Sequence, residues 1–347
     1  MTIQENVPLA PLTTLQVGGA ARYFAELKRE DDVREAAQFA STRDLPLFVL
    51  GGGSNLLVAD SGWPGLVLRI GLGGITTPVL FSVGAGVNWD DFVAQAVVQN
   101  SAGVECLSGI PGSVGGTPVQ NVGAYGQEVS DTIESVRAFD LKEDRIVVLP
   151  KPACGFRYRG SIFNSTERGR YIILRVNYRL QRGGAPSLKY ADLQKHFAEK
   201  KTPPSLAEVR EAVREIRRSK GMLIVPGDDD CRSAGSFFKN PVLSAAQFKD
   251  LAARAASKGL EIPSYPALDA HHKVSAAWLV EHSGFRKGYK RGAAGISHKH
   301  ALALINLGDA RGDAKASDIV GLKDEIQHGV QEAWGIVLEP EPVFVGF

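Results

Sequence analysis

The stretch L45-PLFVLGGGSN-55 sets the reading of this chain. "LPLFVL" is a short apolar run that reads as a buried strand, and it passes directly into three glycines, a serine and an asparagine. Upstream, "ARYFAEL" reads as a strand and "DDVREAAQFAS" as a helix with Val33, Ala36, Ala37 and Ala40 on one face. The opening is therefore a strand–helix–strand unit that ends in a glycine turn. From about residue 66 to 180 the texture changes to short strands, "GLVLRI", "VLFSVGAGV", "SVRAFDL" and "RIVVLP", with the helix "WDDFVAQAVVQN" between them. "YIILRVNYRL" alternates, placing Ile172, Leu174, Val176, Tyr178 and Leu180 on one face. The expected fold class is α+β.

Beyond this region "QRGGAPSL" and "KTPPS" punctuate the chain as loops. "SLAEVREAVREIRRSK" then reads as a helix opened by a Ser205/Glu208 capping box, with Leu206, Val209, Val213 and Ile216 as its buried stripe. Helices are expected near 244–258, 275–283 and 317–334, and strands near 301–306 and 336–338.

At 347 residues the chain is long enough for two or three domains. Its 40 basic and 38 acidic residues nearly cancel, which argues against general nucleic-acid binding but not against a local pocket for a small anion. Cys106, Cys154 and Cys231 are far apart, so neither a disulfide framework nor a zinc site is expected. "MTIQENVPLAPL" has no basic, apolar leader, and no apolar run approaches the ~18 residues of a membrane span. The expectation is a soluble, cytoplasmic protein.

Three glycine clusters stand out: "LGGGSNLLV" (50–58), "VGAGV" (83–87) and "SGIPGSVGGTPVQNVGAYG" (108–126). Glycines let backbone N–H groups approach a ligand with no Cβ in the way, and Ser54, Asn55, Ser113, Thr117, Gln120 and Asn121 add side-chain hydrogen bonds. This is the chemistry of a pyrophosphate or sugar–phosphate site. Single clusters are ordinary tight turns; three in one half of the chain favour a ligand. "VGAGV" lacks the third glycine of GxGxxG, and GxxxxGK[ST] does not occur, so the cradle is neither of those two.

"TTLQVGGAARYF", "LGGGSNLLV", "GIPGSVGGTPVQNVGAYGQEV", "YRGSIF", "RSAGSFFKNP" and "LEPEPVFVGF" occur in that order. Together they resemble the UDP-N-acetylenolpyruvoylglucosamine reductase (MurB) family of peptidoglycan synthesis, along essentially the whole chain. "LKYADL", with Tyr190, looks like the mobile substrate loop of the family's type I members. The resemblance implies an FAD-binding half of the PCMH (vanillyl-alcohol-oxidase-like) type in two subdomains, 1–67 and 68–205, and a substrate-binding domain at 206–335. The last strand, near 336–347, would return to the first subdomain. It further implies noncovalent FAD, NADPH as co-substrate, and reduction of UDP-N-acetylglucosamine enolpyruvate to UDP-N-acetylmuramate, an oxidoreductase step in cell-wall biogenesis on which cell shape and division depend. No metal and no obligate protein partner are implied.

The same resemblance distributes roles. Leu50, Gly51, Gly52, Gly53, Ser54, Asn55 and Leu56, with Ile110, Pro111, Gly112, Ser113, Gly115, Gly116, Thr117, Gln120, Asn121, Gly123, Ala124 and Arg217, are the implied flavin-binding residues. Tyr125, Tyr158, Tyr190, Lys220 and Asn240 are the implied substrate contacts, with Arg217 also available to an anionic nucleotide sugar.

The chemistry itself requires a group to stabilise an enolate-like dianion and another to protonate its carbon. "CGFRYRGSIF" is read as alternating, with Arg157 and Arg159 on one face. A guanidinium can grip a carboxylate bidentately, and the resemblance singles out Arg159. Of Glu339 and Glu341, composition cannot choose, and the resemblance selects Glu341. It makes Ser236, in "RSAGSFFKNP", the proton donor, with Gly235 bending the backbone and the two phenylalanines anchoring it.

Two departures are visible. The chain reads "PVFVGF" where the family often carries basic residues, and "SKGMLIVPGDDDC" makes a long connection to "RSAGSFF". "SHKH" (297–300) would put His298 and His300 on one strand face, but no third metal ligand is placed by sequence; Lys299 or His300 is instead a candidate nucleotide contact, and His271-His272 is read as an exposed loop. The first histidine after the glycine clusters is His196, which disfavours a histidine-tethered flavin oxidase. An untethered oxidase and a non-catalytic nucleotide-sugar binder remain as other readings.

Overall fold

The computed structural model describes every residue except 78, 268–269 and 309–313. The chain forms two compact units. The first comprises Met1–Val7, Ala20–Gly53 and Trp63–Ile224; the second comprises Pro8–Gly19, Ser54–Gly62 and Val225–Phe347.

In the first unit, Ala20–Leu27 and Leu47–Leu50 both pair parallel to Trp63–Ile70, with Gln4–Pro8 at the sheet edge. Helix α1 (Glu30–Ser41) makes the crossover and buries Val33, Ala36 and Ala40. A second sheet has Ile133–Asp140 between Arg145–Pro150 and Tyr171–Tyr178, continued antiparallel by Phe81–Gly84. The face read in "YIILRVNYRL" holds from 172 to 178, with Ile172, Leu174, Val176 and Tyr178 all buried, but Ile173 is buried too, and Leu180 lies beyond the strand and is half-buried. Helix α2 (Trp89–Val98) is capped by Asn88, whose Oδ1 accepts from the Asp90 and Asp91 amides. Its Trp89 and Phe92 pack against Tyr178 in the core. Helix α3 (Ala191–His196) is a short piece after Tyr190. Helix α4 (Leu206–Ser219) opens with the expected box: Ser205 Oγ accepts from the Glu208 amide, and Glu208 Oε2 accepts from the Ser205 amide. Its buried side differs from the expected stripe. Ile216 is only half-buried, and Ala212 and Arg217 go inside instead.

The second unit has helices α5 (Ala245–Ser257), α6 (Ala276–Glu281) and α7 (Ala316–Trp334). They flank an antiparallel sheet ordered Ser233–Ser236, Ala303–Asn306, Ala294–Ile296, Lys290–Arg291. Its core holds Phe237, Phe238, Leu279, Leu304, Ile326 and Trp334.

Four local expectations are corrected. No strand forms at 336–338; Leu338 is fully buried, and its carbonyl accepts from Gln327 Nε2. The last strand is Val343–Val345, parallel to Leu56–Val58, and Val343 is the first residue past Pro340 and Pro342 with an N–H to spend. "FRYRG" does not alternate: Arg157 and Gly160 exchange both backbone hydrogen bonds, making Tyr158-Arg159 a two-residue turn. Residues 297–300 form a bend in which Ser297 Oγ accepts from the Lys299 and His300 amides, so His298 and His300 share no strand face. His272 lies in a strand, His272–Val274, and stacks on Phe248 at 4.2 Å. The fold class is α+β, as expected. Among the described residues no helix is long and apolar enough to cross a membrane.

One electrostatic clamp organises the first unit. Asp90 Oδ1 accepts from Arg210 Nη1 at 2.6 Å and Oδ2 from Arg210 Nη2 at 2.9 Å, while Arg214 reaches Oδ2 as well. Burial alone would raise the Asp90 pKa; the Arg210 and Arg214 guanidiniums and the Gly109 amide outweigh it and hold the carboxyl below its usual value. A depressed acid stabilises the fold fully above its unfolded pKa near 3.8 and loses that contribution as pH falls through the lower folded value. Asp90→Asn should therefore cost about 2–3 kcal/mol at neutral pH, below the value for a fully buried pair because the cluster is partly solvated. Thermal melting followed by circular dichroism should show a gap of several degrees between variant and parent at pH 7. That gap should narrow steadily below pH 4.

Candidate active site

In the first unit the three glycine clusters converge. A Cβ on Gly52 would lie 2.4 Å from Gly112 Cα, and one on Gly115 would lie 2.6 Å from Ala85 Cβ. The Val114 and Gly115 amides donate to the Val87 and Ala85 carbonyls at 2.9 and 2.8 Å. The loops after Leu50, Gly84 and Ser108 thus lie backbone against backbone, a closeness only glycine permits at Gly52. Leu50 is buried at the end of its strand.

Side chains hold the longest loop from outside. Trp89 Nε1 donates to the Leu107 carbonyl at 2.9 Å. Gly109 is gripped on both sides: its N–H donates to Asp90 Oδ1 at 2.6 Å, and its carbonyl accepts from Arg217 Nε at 3.1 Å. Thr117 Oγ1 lies 2.8 Å from the Tyr178 hydroxyl. The Ser113 hydroxyl is buried with no protein partner, and it lies 3.0 Å from where a Gly51 Cβ would be. A buried hydroxyl left over beside glycine backbone fits a loop built to receive a ligand's polar atoms. Ile110, Pro111, Gly112, Gly116 and Gln120 belong to the same loop; Ser54, Asn55 and Leu56 fall in the second unit.

The Asn121 side chain makes three hydrogen bonds within the protein. Its Nδ2 donates to Glu128 Oε2 and the Arg157 carbonyl, and its Oδ1 accepts from the Ser130 amide. It therefore braces the hairpin in which Gly123-Ala124 pairs with Gln127-Glu128. Tyr125 turns that hairpin at φ 48°. Arg159 occupies the corner of its own turn at φ 52°, with Nη1 3.3 Å from where a Gly123 Cβ would sit and its guanidinium 5.4 Å from the Tyr158 ring. Arg157 is exposed whereas Arg159 is half-buried, a distinction the sequence did not offer.

Tyr125, Tyr190, Lys220 and Arg217 form one cluster. The two tyrosine rings meet edge to face at 5.3 Å, and the positive charge of Arg217 acts on the Tyr125 hydroxyl. Burial pushes the Tyr125 hydroxyl up, against the pull of Arg217 and Lys220. Lys220 donates to Asp192 Oδ2 at 2.7 Å; burial opposes its charge, but Asp192 prevails and raises its pKa.

The second unit carries Ser236, Glu341 and Asn240. Ser233 pairs with Ile305 but Ser236 with Ala303, so one extra residue bulges the strand, and Gly235 absorbs it at φ 77°. The next residue, Phe237, donates its N–H to the Leu302 carbonyl and accepts the Glu341 N–H at 2.9 Å. Asn55 Nδ2 donates to the Glu341 carbonyl, and the Asn55 carbonyl accepts from the Val343 amide. Ser236 and Glu341 are thereby hung from one fixed residue. Glu339 is exposed and ion-paired to Lys239, and Glu341 is half-buried. Asn240 Oδ1 accepts from the Ala276 amide at the start of α6. Lys299, a candidate nucleotide contact, has its ammonium on Asp228 and Asp230.

Sequence reading missed Asp90 and Glu105. Asp90 looked like an ordinary first-turn acid, and its arginine partners lie 120 and 124 residues away. Glu105 carried the one available signal, a lone charge in the apolar run "GVECLSG".

Residues 21–149 match the model of an FAD binding domain, and 226–345 match the C-terminal domain of UDP-N-acetylenolpyruvoylglucosamine reductase. The chain is 45% identical to the UDP-N-acetylenolpyruvoylglucosamine reductase of Thermobifida fusca, over 98% of this chain and 97% of that one. It is also 45% identical to the Streptomyces avermitilis protein of the same name, over 98% and 94%. The crystal structure of UDP-N-acetylenolpyruvylglucosamine reductase (MurB) from Thermus caldophilus superposes with a TM-score of 0.68 at 27% identity, covering 99% of this chain and 100% of that one. With the glycine cradle fitting a flavin and this likeness running along nearly its whole length, the chain belongs to the UDP-N-acetylenolpyruvoylglucosamine reductase (MurB) family.

Proposed function

We propose that the protein reduces UDP-N-acetylglucosamine enolpyruvate to UDP-N-acetylmuramate in the cytoplasm, using NADPH, with Arg159, Ser236 and Glu341 as its catalytic residues. The carrying observation is that Ser236 and Glu341, 105 positions apart, are fastened to the two sides of the buried Phe237 backbone. On this reading 1–67 and 68–205 are the flavin-binding parts and 206–335 the substrate-binding part.

Leu50–Gly53, Ile110–Thr117, Gln120, Asn121, Gly123, Ala124 and Arg217 would hold the FAD, together with Ser54, Asn55 and Leu56. Bound FAD supplies a hydride, obtained from NADPH, for the terminal carbon of the enolpyruvyl group. The residues manage the charge that this leaves on the substrate. Arg159 grips the carboxylate with its planar guanidinium and stabilises the enolate-like dianion. Glu341, held protonated beside that dianion, donates a hydrogen bond to it. Ser236 delivers the proton to the neighbouring carbon, completing net addition of a hydride and a proton across the double bond. Lys220 and Tyr190 hold the sugar nucleotide's anionic groups, with Tyr125, Tyr158 and Asn240 around them.

The test is anaerobic mixing. NADPH should bleach the flavin, and substrate should restore its absorbance with one UDP-N-acetylmuramate per flavin. Recovery only on admitting air would replace this reading with an untethered oxidase. Ser236→Ala should leave flavin reduction by NADPH nearly intact while slowing the second half-reaction about 10²–10⁴-fold; equal loss in both would remove the proton-donor role. Arg159→Lys keeps the charge but loses the bidentate fork. It should lower kcat at least tenfold in steady-state assays, and an undiminished rate would show that a point charge suffices.

A further inference from the structure

The loop that carries Tyr190 is fastened to the rest of the first unit by a carboxylate unconnected with the chemistry above. Glu105 is completely buried, and among the described residues no lysine or arginine pairs with it. Three N–H groups converge on it instead. Oε2 accepts from the Gly103 amide at 2.7 Å, and Oε1 accepts from Gln127 Nε2 and the Ser187 amide, both at 2.9 Å. Gln127 in turn accepts from the Cys106 amide at 2.8 Å, so the hairpin carrying Tyr125 is locked to the same point. The Cys106 thiol donates to the Ser187 carbonyl at 3.2 Å; burial pushes that thiol up, which keeps its proton in place. Both backbone groups of Ser187 are therefore held by the pair Glu105-Cys106.

Three residues later the chain presents Tyr190. Between the two, Lys189 runs so close to the hairpin tip that a Cβ on Gly126 would lie 3.1 Å from Lys189 Cβ. The Tyr190 ring then meets Tyr125. With position 187 fixed at one end and the Tyr125 contact at the other, little slack remains for Tyr190. We infer that Glu105 is a positioning residue, which sets the register of Ser187–Tyr190 against the Tyr125 hairpin and so governs capture of the sugar nucleotide. This rests on the reading of Tyr190 as a substrate contact. The choice of a carboxylate follows from its surroundings. Three donors need a group that only accepts, and an amide would turn its own NH₂ toward one of them. With its oxygen kept toward Gln127 and Ser187, the amide sets its NH₂ against the Gly103 N–H; relieving that contact shifts the side chain, and the Ser187 amide is left with a neutral acceptor in place of a charged one.

Glu105→Gln should raise KM for UDP-N-acetylglucosamine enolpyruvate at least tenfold, with kcat within threefold. Flavin content and the rate of flavin reduction by NADPH should be unchanged, and the Ser187 amide should exchange hydrogen faster while the core strands do not. In a Tyr190→Ala background the same substitution should change KM less than twofold, because the effect passes through Tyr190. Loss of flavin together with parallel slowing of both half-reactions would reduce Glu105 to a scaffold residue and overturn the inference. Should Glu105→Gln fail to fold, Ser187→Pro removes the loop's N–H donor while leaving Glu105 in place and should reproduce the KM rise; an unmoved KM there overturns the inference equally. If Tyr190→Ala leaves KM unmoved, the substrate reading of Tyr190 has failed and this inference with it. If Tyr190→Ala raises KM and Glu105→Gln does not, only the inference fails.

Discussion

Gly109 is where the first unit is tied together. A glycine-rich loop has little of its own to hold it: it loses more conformational freedom on ordering than any other sequence and brings no side chains to offset the loss. The restraint comes from elsewhere, from Asp90 on the Gly109 N–H and Arg217 on its carbonyl. Asp90 also takes both Arg210 and Arg214, so α4 is bound to α2 and to the loop by one carboxylate. Trp89 and Tyr178, two core aromatics, spend their polar ends on Leu107 and Thr117. The glycine-rich loop is therefore tied to the hydrophobic core through these side chains.

The second unit solves a similar problem with backbone hydrogen bonds. Between Ser233 and Ser236 the ladder slips by one residue, and the bulge is taken up at Gly235. A bulge alone would leave the chain loose. Phe237, with a fully buried ring and both backbone groups engaged, fixes the chain one residue later. The same carbonyl fixes Glu341. In "GSFF" the glycine takes the bend and the two buried rings hold the chain on the far side of the serine.

The elements were largely legible because their signals are local. The Ser205/Glu208 box, the strand alternation at 172–178 and the strand–helix–strand opening each depend on neighbours within one element. The errors were made where a tight turn or a tertiary partner overrides the local pattern. "FRYRG" has the alternation of a strand, but Arg157 and Gly160 close on each other and put Arg159 at a corner. Ile216 fits a helical stripe, yet Arg217 takes the buried place because the Gly109 and Met222 carbonyls await its guanidinium. Arg159 and Glu341 were chosen over their neighbours Arg157 and Glu339 by family resemblance alone; the differing burial of each pair is a property of the fold.

Backbone strain points to the same residues by an independent route. Nine non-glycine residues in the described chain have positive φ, and three of them, Asn121, Tyr125 and Arg159, belong to the candidate site. Asparagine tolerates this conformation, but a tyrosine and an arginine there cost on the order of 1 kcal/mol each. Glycine in either place would relieve the strain, and this chain uses glycine freely elsewhere. The surroundings hold the strained form instead: Arg157 and Gly160 close the Arg159 turn, Asn164 Nδ2 donates to the Arg159 carbonyl, and paired strands flank Tyr125. A conformation that costs stability, kept by bonds on both sides, makes sense where the direction of the side chain matters more than the comfort of the backbone. For Arg159 that direction runs over Gly123, which has no side chain to obstruct it.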